Sequence, residues 1–255
     1  MMQCSRYGVV GYVAAMSALH VIIVAAILGL AASLLGCAGD ATPNPTGVTP
    51  TTVRRVTDYT FRRVVGSSVT LQFRTLSFTE GSDTSVVQGS SYRYTVVDTA
   101  FVRTDGRRCL AIQRETIDNG VVRFTDTTHQ FADSLELITF ERMSDSVGRR
   151  RLQSPVRPGT SFWYRSTFGN VESNRYAIVG VDVPVQTSLG ELSATHVRMF
   201  STSLIDNGTR SFSDEQWLVP GMHIVLQRQT NRFDPSDGGA ATTSVSEFFI
   251  VERNW

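Results

Sequence analysis

The chain of 255 residues carries 24 basic and 23 acidic side chains, and 41% of its residues are hydrophobic. This near-neutral balance supplies no electrostatic attraction for a phosphate backbone, so the sequence excludes charge-driven binding to nucleic acid. Every basic residue is an arginine, and the hydrophobic fraction is ample for a buried core.

The first part of the sequence predicts export. Residues 21–36 form an apolar run that ends in small residues, which is typical of a secretory signal peptide. Positions 34–37, with the sequence Leu-Leu-Gly-Cys, resemble the lipobox of bacterial lipoproteins. The resemblance implies that residues 1–36 are a lipoprotein signal peptide, that cleavage falls before Cys37, and that Cys37 is lipidated. It therefore implies a membrane-anchored protein of the bacterial cell envelope.

Localisation has one open alternative. An uncleaved signal anchor fits residues 9–36, because this run is longer than the roughly 20 residues that cross a bilayer, and Arg6 is the one basic residue before it. Met16 remains open as the true start. Ala38, rather than aspartate, follows the cysteine, which by resemblance to lipoprotein sorting implies the outer membrane. Both alternatives place residues 52–255 outside the inner membrane.

Cysteine usage excludes two kinds of site. Cys4 is lost with the signal peptide and Cys37 is acylated, so Cys109 is left without a partner. The mature chain therefore has neither an intramolecular disulfide framework nor a cysteine metal cluster.

The rest of the chain predicts a linker followed by one β domain. Residues 37–55 are the lipidated cysteine and a linker rich in proline and threonine, and residues 56–255 form the domain, in halves of about 56–148 and 155–255. Within it, short runs of valine, threonine and aromatic residues alternate with turn signals. The clearest turn signals are Asp105-Gly106, Asn119-Gly120, Asn207-Gly208 and Pro220-Gly221.

The spacing of these signals predicts eleven or twelve strands in one antiparallel sheet, because the connections are too short for crossovers. Asn-Gly and Asp-Gly favour hairpins with type I′ turns. Residues 133–142 could form a helix or a strand, and their β-branched and aromatic content favours a strand. A twisted sheet of more than about ten strands curls or closes. We therefore predict an all-β fold, a half-open or closed barrel with a concave face.

The sequence also suggests an internal duplication. The string Ile-Asp-Asn-Gly at residues 117–120 recurs at residues 205–208, and three weaker blocks recur in the same order. The alternative is convergence, since hairpins reuse common turn residues. If the duplication holds, the second half carries an extra hairpin at residues 217–232 and a loop at residues 233–243, and we expect that hairpin to form one wall of a binding site.

Three segments resemble a known group of proteins. Residues 179–185 and 187–194 resemble a V-x-V-P-x-G-x-F-x-A strand pair, and residues 217–225 resemble the W-Y-x-P-G-x-G-x-V hairpin that follows it in uncharacterised bacterial envelope lipoproteins. Leu192 replaces the usual phenylalanine and His223 the usual glycine. The resemblance implies a curved antiparallel sheet, similar to the half-open barrels of periplasmic lipoprotein carriers, and implies no catalytic residues.

Residues for catalysis or metal binding are few. His129 and Asp126 stand three positions apart on a strand, which sends them to opposite faces. His196 is expected to be half-buried and hydrogen-bonded, and His223, after a Pro-Gly turn, to be solvated. Residues 234–239 lack the closing glutamate of an EF-hand loop, and no G-x-S-x-G elbow occurs. We expect no catalytic residue, cofactor or metal, and hence no enzyme.

Other side chains are candidates for contacts rather than chemistry. The run Arg149, Arg150 and Arg151 is predicted to be a solvated linker between the halves, with contact to anionic lipid or another envelope polymer as the alternative. Trp217 and Trp163 are candidate anchors of a groove or of the core, because tryptophan offers a large apolar face.

Two function classes remain open on the sequence. The first is a non-enzymatic module that binds an apolar ligand or an envelope protein on its concave face. The alternative is a structural or assembly lipoprotein of the outer membrane without a small ligand. In both, the partner is the membrane through the lipid anchor, and nucleic acid is not a partner.

Overall fold

The structure is a computed structural model that describes residues 53–82, 84–163 and 175–255. The signal peptide, the lipobox, Cys37 and nearly all of the linker lie outside the described residues, so these assignments stay predictions. In the described part of the chain, no helix is both long and apolar enough to cross a membrane.

The described residues form one antiparallel sheet of twelve strands, preceded by a 3-10 helix at Val56–Tyr59. In chain order the strands are β1 (Ser68–Thr79), β2 (Ser85–Val102), β3 (Arg108–Asp118), β4 (Val121–Ala132), β5 (Glu136–Phe140), β6 (Arg149–Gln153), β7 (Ser161–Trp163), β8 (Arg175–Thr187), β9 (Gly190–Ile205), β10 (Gly208–Val219), β11 (His223–Pro235) and β12 (Thr242–Asn254). The predicted all-β class, strand number and antiparallel pairing are confirmed, as is the strand within residues 133–142.

The strand order across the sheet is β6-β5-β4-β3-β2-β1-β12-β11-β10-β9-β8-β7. Two six-strand meanders therefore meet at the centre, where the first strand pairs with the last, from Ser68 opposite Asn254 to Thr79 opposite Thr242. The accumulated twist curls the sheet until β6 and β7, at its two edges, approach each other. The result is the nearly closed, barrel-like sheet that the sequence predicted.

Two hydrophobic clusters hold the curled sheet. The first joins β1, β2 and β3 to the other half through Val69, Leu71, Val96, Leu110, Ile112, Val185, Ala194, Val219, Met222, Val225 and Ile250. The second joins the 3-10 helix to strands of both halves through Val56, Tyr59, Leu137, Leu152, Phe162, Tyr176, Ile178, Val197, Met199, Leu218 and Ile224. Each large apolar side chain that is fully buried contributes roughly 1.5–3 kcal/mol, so the clusters tie the halves into one unit.

The segment before β1, residues 55–62, packs against both halves. The backbone carbonyl of Asp58 accepts a hydrogen bond from the backbone N–H of Gly221 at 2.8 Å. The backbone N–H of Arg62 donates to the Gly221 carbonyl, also at 2.8 Å. Phe61 donates its N–H to the Gln130 side-chain oxygen at 2.9 Å. The segment thus bridges the β10–β11 turn of one half and β4 of the other.

Three of the four strongest hairpin predictions hold without change. Asn119-Gly120 joins β3 to β4 with φ of 49° and 76°, the positive values of a type I′ turn. Asp105-Gly106 lies in the β2–β3 turn, and Pro220-Gly221 in the β10–β11 turn.

The fourth prediction needs a correction of one residue. The β9–β10 turn is Asp206-Asn207, because Ile205 already pairs with Gly208, and Gly208 belongs to β10. A Cβ atom on Gly208 would lie 2.3 Å from the backbone oxygen of Asp234. Glycine is therefore required for close approach of the neighbouring strand, and not for a positive φ.

The structure does not support the internal duplication. In the first hairpin Arg114 lies opposite Asp126, whereas Asp214, the counterpart of Asp126 in the repeated string, lies opposite Met199. Ala111 is the counterpart of Met199 in the repeat, so an equal register would place Ala111 opposite Asp126. The residue opposite Asp126 is Arg114 instead, and the two registers therefore differ. The two hairpins share a sequence string but neither turn residues nor register.

Candidate functional site

The candidate site is built by the inward faces of β1 to β6. Because alternate residues of a strand share a face, the register places Tyr94 opposite Arg114 and Arg114 opposite Asp126 on one side of the sheet. Farther along, Thr139 lies between Gln130 and Arg149. The sequence thus aligns polar side chains across five neighbouring strands of the first half.

These faces enclose a cavity of about 290 Å³ within the curl of the sheet. Strands β11 and β12 supply the opposite side. The cavity is lined by Phe61, Val69, Leu71, Tyr92, Tyr94, Ile112, Arg114, Thr128, Gln130, Thr139, Glu141, Arg149, Arg151, His223, Ile224, Gln227 and Phe248. Its volume is near the lower end of typical ligand pockets, which span roughly 300–1,000 Å³.

One side of the cavity is apolar and aromatic. Val69 and Leu71 of β1 line it together with Phe248 of β12. The Phe248 ring lies 4.7 Å from the ring of Phe73 and 5.7 Å from that of Tyr92, measured between centroids. Such tilted aromatic pairs are favourable beyond their buried area, so this wall is a preformed apolar surface.

The other side is charged and centres on Glu141. The carboxylate accepts a hydrogen bond from Arg114 at 3.1 Å. The guanidinium groups of Arg149 and Arg151 approach it at 3.5 Å and 3.8 Å. Three arginines from β3 and β6 therefore surround one glutamate.

Arg114 is held by a second carboxylate. Its Nε donates to Asp126 at 2.9 Å, and its Nη2 donates to the other oxygen of the same side chain. Burial alone would lower the pKa of Arg114, but hydrogen bonds to Asp126 and the charges of Asp126 and Glu141 raise this pKa above its ordinary value. Burial also raises the pKa of Tyr94, the neighbour of Arg114. Arg114 is thus charged and fixed in place.

Several polar atoms of this wall have no hydrogen-bond partner in the described part of the chain. They are buried side-chain atoms, namely Gln130 Nε2, Thr139 Oγ1, Arg149 Nε and Arg151 Nε. Gln130 is 2% exposed and uses its oxygen to accept from Phe61. Buried polar groups are normally paired, so these four atoms, which have no partner among the described residues, make this wall the more polar side of the cavity.

The prediction that His223 is solvated is wrong. The side chain is buried at the first residue of β11, with its ring centroid 5.3 Å from that of Phe61. Its backbone φ is 63°, a value that favours glycine. Burial, with a contribution from Arg151, lowers the pKa of His223 to about 3, although a hydrogen bond to the Tyr59 backbone acts in the opposite direction. His223 is therefore neutral at pH 7 and adds no charge to the cavity.

The other two histidines of the described residues lie outside the cavity. His129 is buried beside Phe101, with centroids 4.6 Å apart, and burial lowers its pKa. His196 is half-buried, as expected, and stacks on Trp217 at 4.4 Å with an interplanar angle of 5°. The expected hydrogen bond is not seen at its Nε2. Among the residues that the structure describes, no group of three or more His, Cys, Asp and Glu side chains could hold a metal ion.

Neither candidate tryptophan lines the cavity. Trp217 is half-buried, packs against the first hydrophobic cluster and carries the His196 ring on its face. Trp163 is 50% exposed, with the Arg175 guanidinium 5.9 Å from its ring centroid. The hairpin that contains Trp217 contributes other residues to the cavity, namely His223, Ile224 and Gln227.

The prediction that the arginine run is a solvated linker is also wrong. Arg149, Arg150 and Arg151 belong to strand β6. Arg149 and Arg151 line the cavity, and Arg150 pairs with Glu136 at 2.7 Å. Leu152 is the one buried residue of this strand, so the sequence carries only a weak strand signal here.

A second, larger cleft of about 630 Å³ lies at the strand ends of β1, β10, β11 and β12. Serine and threonine side chains line most of it, and none of the buried unpaired side-chain atoms found in the described residues belongs to it. We therefore favour the smaller cavity as the functional site.

No protein-family model matches the chain, and no curated protein matches it. Among solved structures, a putative exported protein with YmcC-like fold from Bacteroides fragilis NCTC 9343 is similar at a TM-score of 0.45 and 12% identity, over 78% of this chain and 100% of that one. A putative lipoprotein from Parabacteroides distasonis ATCC 8503 is similar at a TM-score of 0.41 and 10% identity, over 79% and 100%. Because both TM-scores are below 0.5, neither similarity carries an argument about function. The site is therefore assigned from the residues of this chain alone.

Proposed function

We propose that the chain is a non-enzymatic lipoprotein of the bacterial cell envelope that binds a small ligand with an apolar part in the cavity inside its sheet. The observation that carries the proposal is the cavity itself. Its apolar wall of Val69, Leu71 and Phe248 lies opposite unpaired polar atoms. An apolar pocket with a few convergent polar groups is the usual form of a small-molecule site.

The size of the cavity limits the ligand. A volume of about 290 Å³ lies at the lower end of the range for small-molecule pockets, roughly 300–1,000 Å³. A medium-length hydrocarbon chain with a small head group fits this limit, whereas a whole phospholipid does not. We therefore use 1-octanol as the neutral test ligand.

Filling the cavity is expected to abolish binding. Thr128 lines the cavity and is 4% exposed, whereas its neighbour Thr127 is exposed on the opposite face of β4. In the mature chain from residue 37 onward, produced with Cys37→Ser to avoid lipid, Thr128→Phe should weaken 1-octanol binding at least tenfold in calorimetry. Thr127→Phe should leave it unchanged.

Cooperative urea unfolding of both variants checks that the fold is intact. Equal 1-octanol binding by Thr128→Phe and the unsubstituted chain would place the ligand elsewhere. Absence of binding by 1-octanol and by its anionic analogues octanoate and octyl phosphate would refute the proposed function.

The membrane anchor is tested separately at Cys37. Because lipidation requires the thiol, Cys37→Ser in the full-length chain should abolish partition of the mature protein into detergent and release or mislocalise it. Fractionation of the host envelope measures this, and density separation of the two membranes tests the outer-membrane location. Unchanged membrane fractionation of Cys37→Ser would favour the uncleaved signal anchor.

One observation favours the alternative, an assembly lipoprotein without a small ligand. Apolar side chains are exposed toward the ends of β1, β2 and β9, with Phe78 38%, Val86 60%, Val87 63% and Leu204 86% exposed. These residues lie toward one end of the sheet, where they are candidate contacts for a partner protein. Failure of 1-octanol, octanoate and octyl phosphate to bind the unsubstituted chain would transfer support to this alternative.

A further inference from the structure

We infer that the ligand of the cavity is a small amphiphilic anion, with a carboxylate or phosphate head bound by Arg149 and Arg151 and a short hydrocarbon chain on the apolar wall. This inference rests on the proposed function and adds the charge and polarity of the ligand to it.

The charges of the polar wall do not balance. Within the part of the chain that the structure describes, Arg114, Arg149 and Arg151 face the two carboxylates of Asp126 and Glu141, so three positive charges meet two negative ones. Arginine stays protonated in proteins, and the Arg151 side chain is only 12% exposed. An uncompensated charge at a poorly solvated position is costly, and an anionic head would supply the missing charge.

The contacts of the two β6 arginines are incomplete. Arg114 donates a hydrogen bond of 3.1 Å to the Glu141 carboxylate. Arg149 and Arg151 remain at 3.5 Å and 3.8 Å from the same carboxylate, at or beyond the limit of a hydrogen bond. Their Nε atoms have no partner among the described residues. Two guanidinium groups are thus held close together with donors to spare, and guanidinium donors match carboxylate and phosphate oxygens well.

Neutral donors beside them point to the same conclusion. Gln130 Nε2 and Thr139 Oγ1 are buried without partners, and Gln130 and Thr139 are cross-strand neighbours. Thr139 in turn lies opposite Arg149. A buried donor without a partner is unfavourable, so an oxyanion bound at this wall would offer these groups an acceptor.

The distribution of polarity argues for an amphiphile rather than a bare anion. Across the sheet the lining changes from Phe248 on β12 and Leu71 on β1 to Glu141 on β5 and Arg151 on β6. An inorganic anion would leave the first wall unused, and a neutral hydrocarbon would leave the second unpaired. A ligand with both parts uses the whole cavity.

Calorimetry on the same mature chain tests the inference with octanoate, octyl phosphate, 1-octanol, octylammonium and inorganic phosphate. We expect octanoate or octyl phosphate to bind at least tenfold more tightly than 1-octanol, and octylammonium and inorganic phosphate to bind more weakly than 1-octanol. The tighter of the two anionic amphiphiles identifies the head group.

The arginine variants assign the head-group site. Arg151→Met and Arg149→Met should each reduce the preference for the anionic amphiphile over 1-octanol to threefold or less. Arg150→Met is the matched control, because Arg150 is the residue between them and pairs with Glu136. It should keep the full preference.

The outcomes separate the inference from the proposed function. Equal affinity for octanoate, octyl phosphate and 1-octanol overturns the inference and leaves the proposed function standing, whereas no binding of any of the three overturns the proposed function. Inorganic phosphate binding as tightly as the amphiphiles overturns the role of the apolar wall. The comparison of ligands needs only the unsubstituted chain, so misfolding of an arginine variant would not prevent the test.

Discussion

Tyr59→Ala is expected to lower the free energy of unfolding by about 4 kcal/mol, the largest effect of a single substitution predicted here, because it empties a large buried volume. Tyr59 is 1% exposed and belongs to the second hydrophobic cluster. Its hydroxyl forms a hydrogen bond with the Thr195 hydroxyl at 2.6 Å. The residue precedes the first strand, so its loss tests whether residues 55–62 are an integral part of the domain.

Two controls divide this effect into its parts. Tyr59→Phe removes the hydrogen bond to Thr195 and keeps the ring, so it should cost about 1 kcal/mol. Val53→Ala, at a position that is 85% exposed, should cost less than about 0.5 kcal/mol. Urea unfolding of the mature chain measures all three. A cost below about 1 kcal/mol for Tyr59→Ala would mean that the segment is dispensable for the fold.

Glu247→Gln is expected to lower the free energy of unfolding by roughly 2–3 kcal/mol at pH 7, since it removes a buried charge from between two arginines. Glu247 is 4% exposed. Arg74 and Arg228 donate to its two oxygens, each at 2.7 Å through Nε. The side chain thus joins β1, β12 and β11 on the face of the sheet opposite Phe248.

This effect should depend on pH in a defined direction. Burial would raise the pKa of Glu247, but the hydrogen bonds and charges of Arg228 and Arg74 outweigh burial and lower it. A group whose folded-state pKa is lowered stabilises the fold above its unfolded pKa, about 4.3, and this contribution is lost as the pH falls through the folded value. The difference between the unsubstituted chain and Glu247→Gln should therefore be full at pH 7 and shrink below about pH 4.

Urea unfolding at a series of pH values measures this dependence. Glu252→Gln, five positions farther along β12 at an exposed site, serves as the control and should change the free energy of unfolding by less than about 0.5 kcal/mol at any pH. A Glu247→Gln cost that is constant from pH 7 to pH 3 would exclude the arginine pairs as its cause.

The sheet could be predicted from the sequence because its signals are local. Asn119-Gly120 adopts a type I′ turn whatever lies elsewhere in the chain, and the β-branched residues around it favour strands. The same reasoning missed Gly208 by one position. Glycine is needed at position 208 because the backbone oxygen of Asp234 lies close to it. Asp234 is distant in sequence, so turn preferences do not indicate this contact.

The cavity could not be predicted, because it depends on register. A run of three arginines resembles a solvated segment, and whether Arg149 and Arg151 turn inward depends on the irregularity opposite Leu137 and Ile138 in the pairing of β5 with β6. The sequence contains no local signal for that irregularity. His223 was missed for a related reason, since its burial comes from residues 55–62 packing over the β10–β11 turn.

The pairing of the first strand with the last at the centre of the sheet has a consequence for biogenesis. Neither meander can complete its inner edge until β12 has emerged, so the most distant segments of the domain must meet before the barrel can curl. Contacts between distant segments make folding slow, because loop closure must precede the gain from pairing. A chain that is threaded through a membrane from its N-terminus would stay unfolded, and hence transportable, until nearly its last residue had crossed.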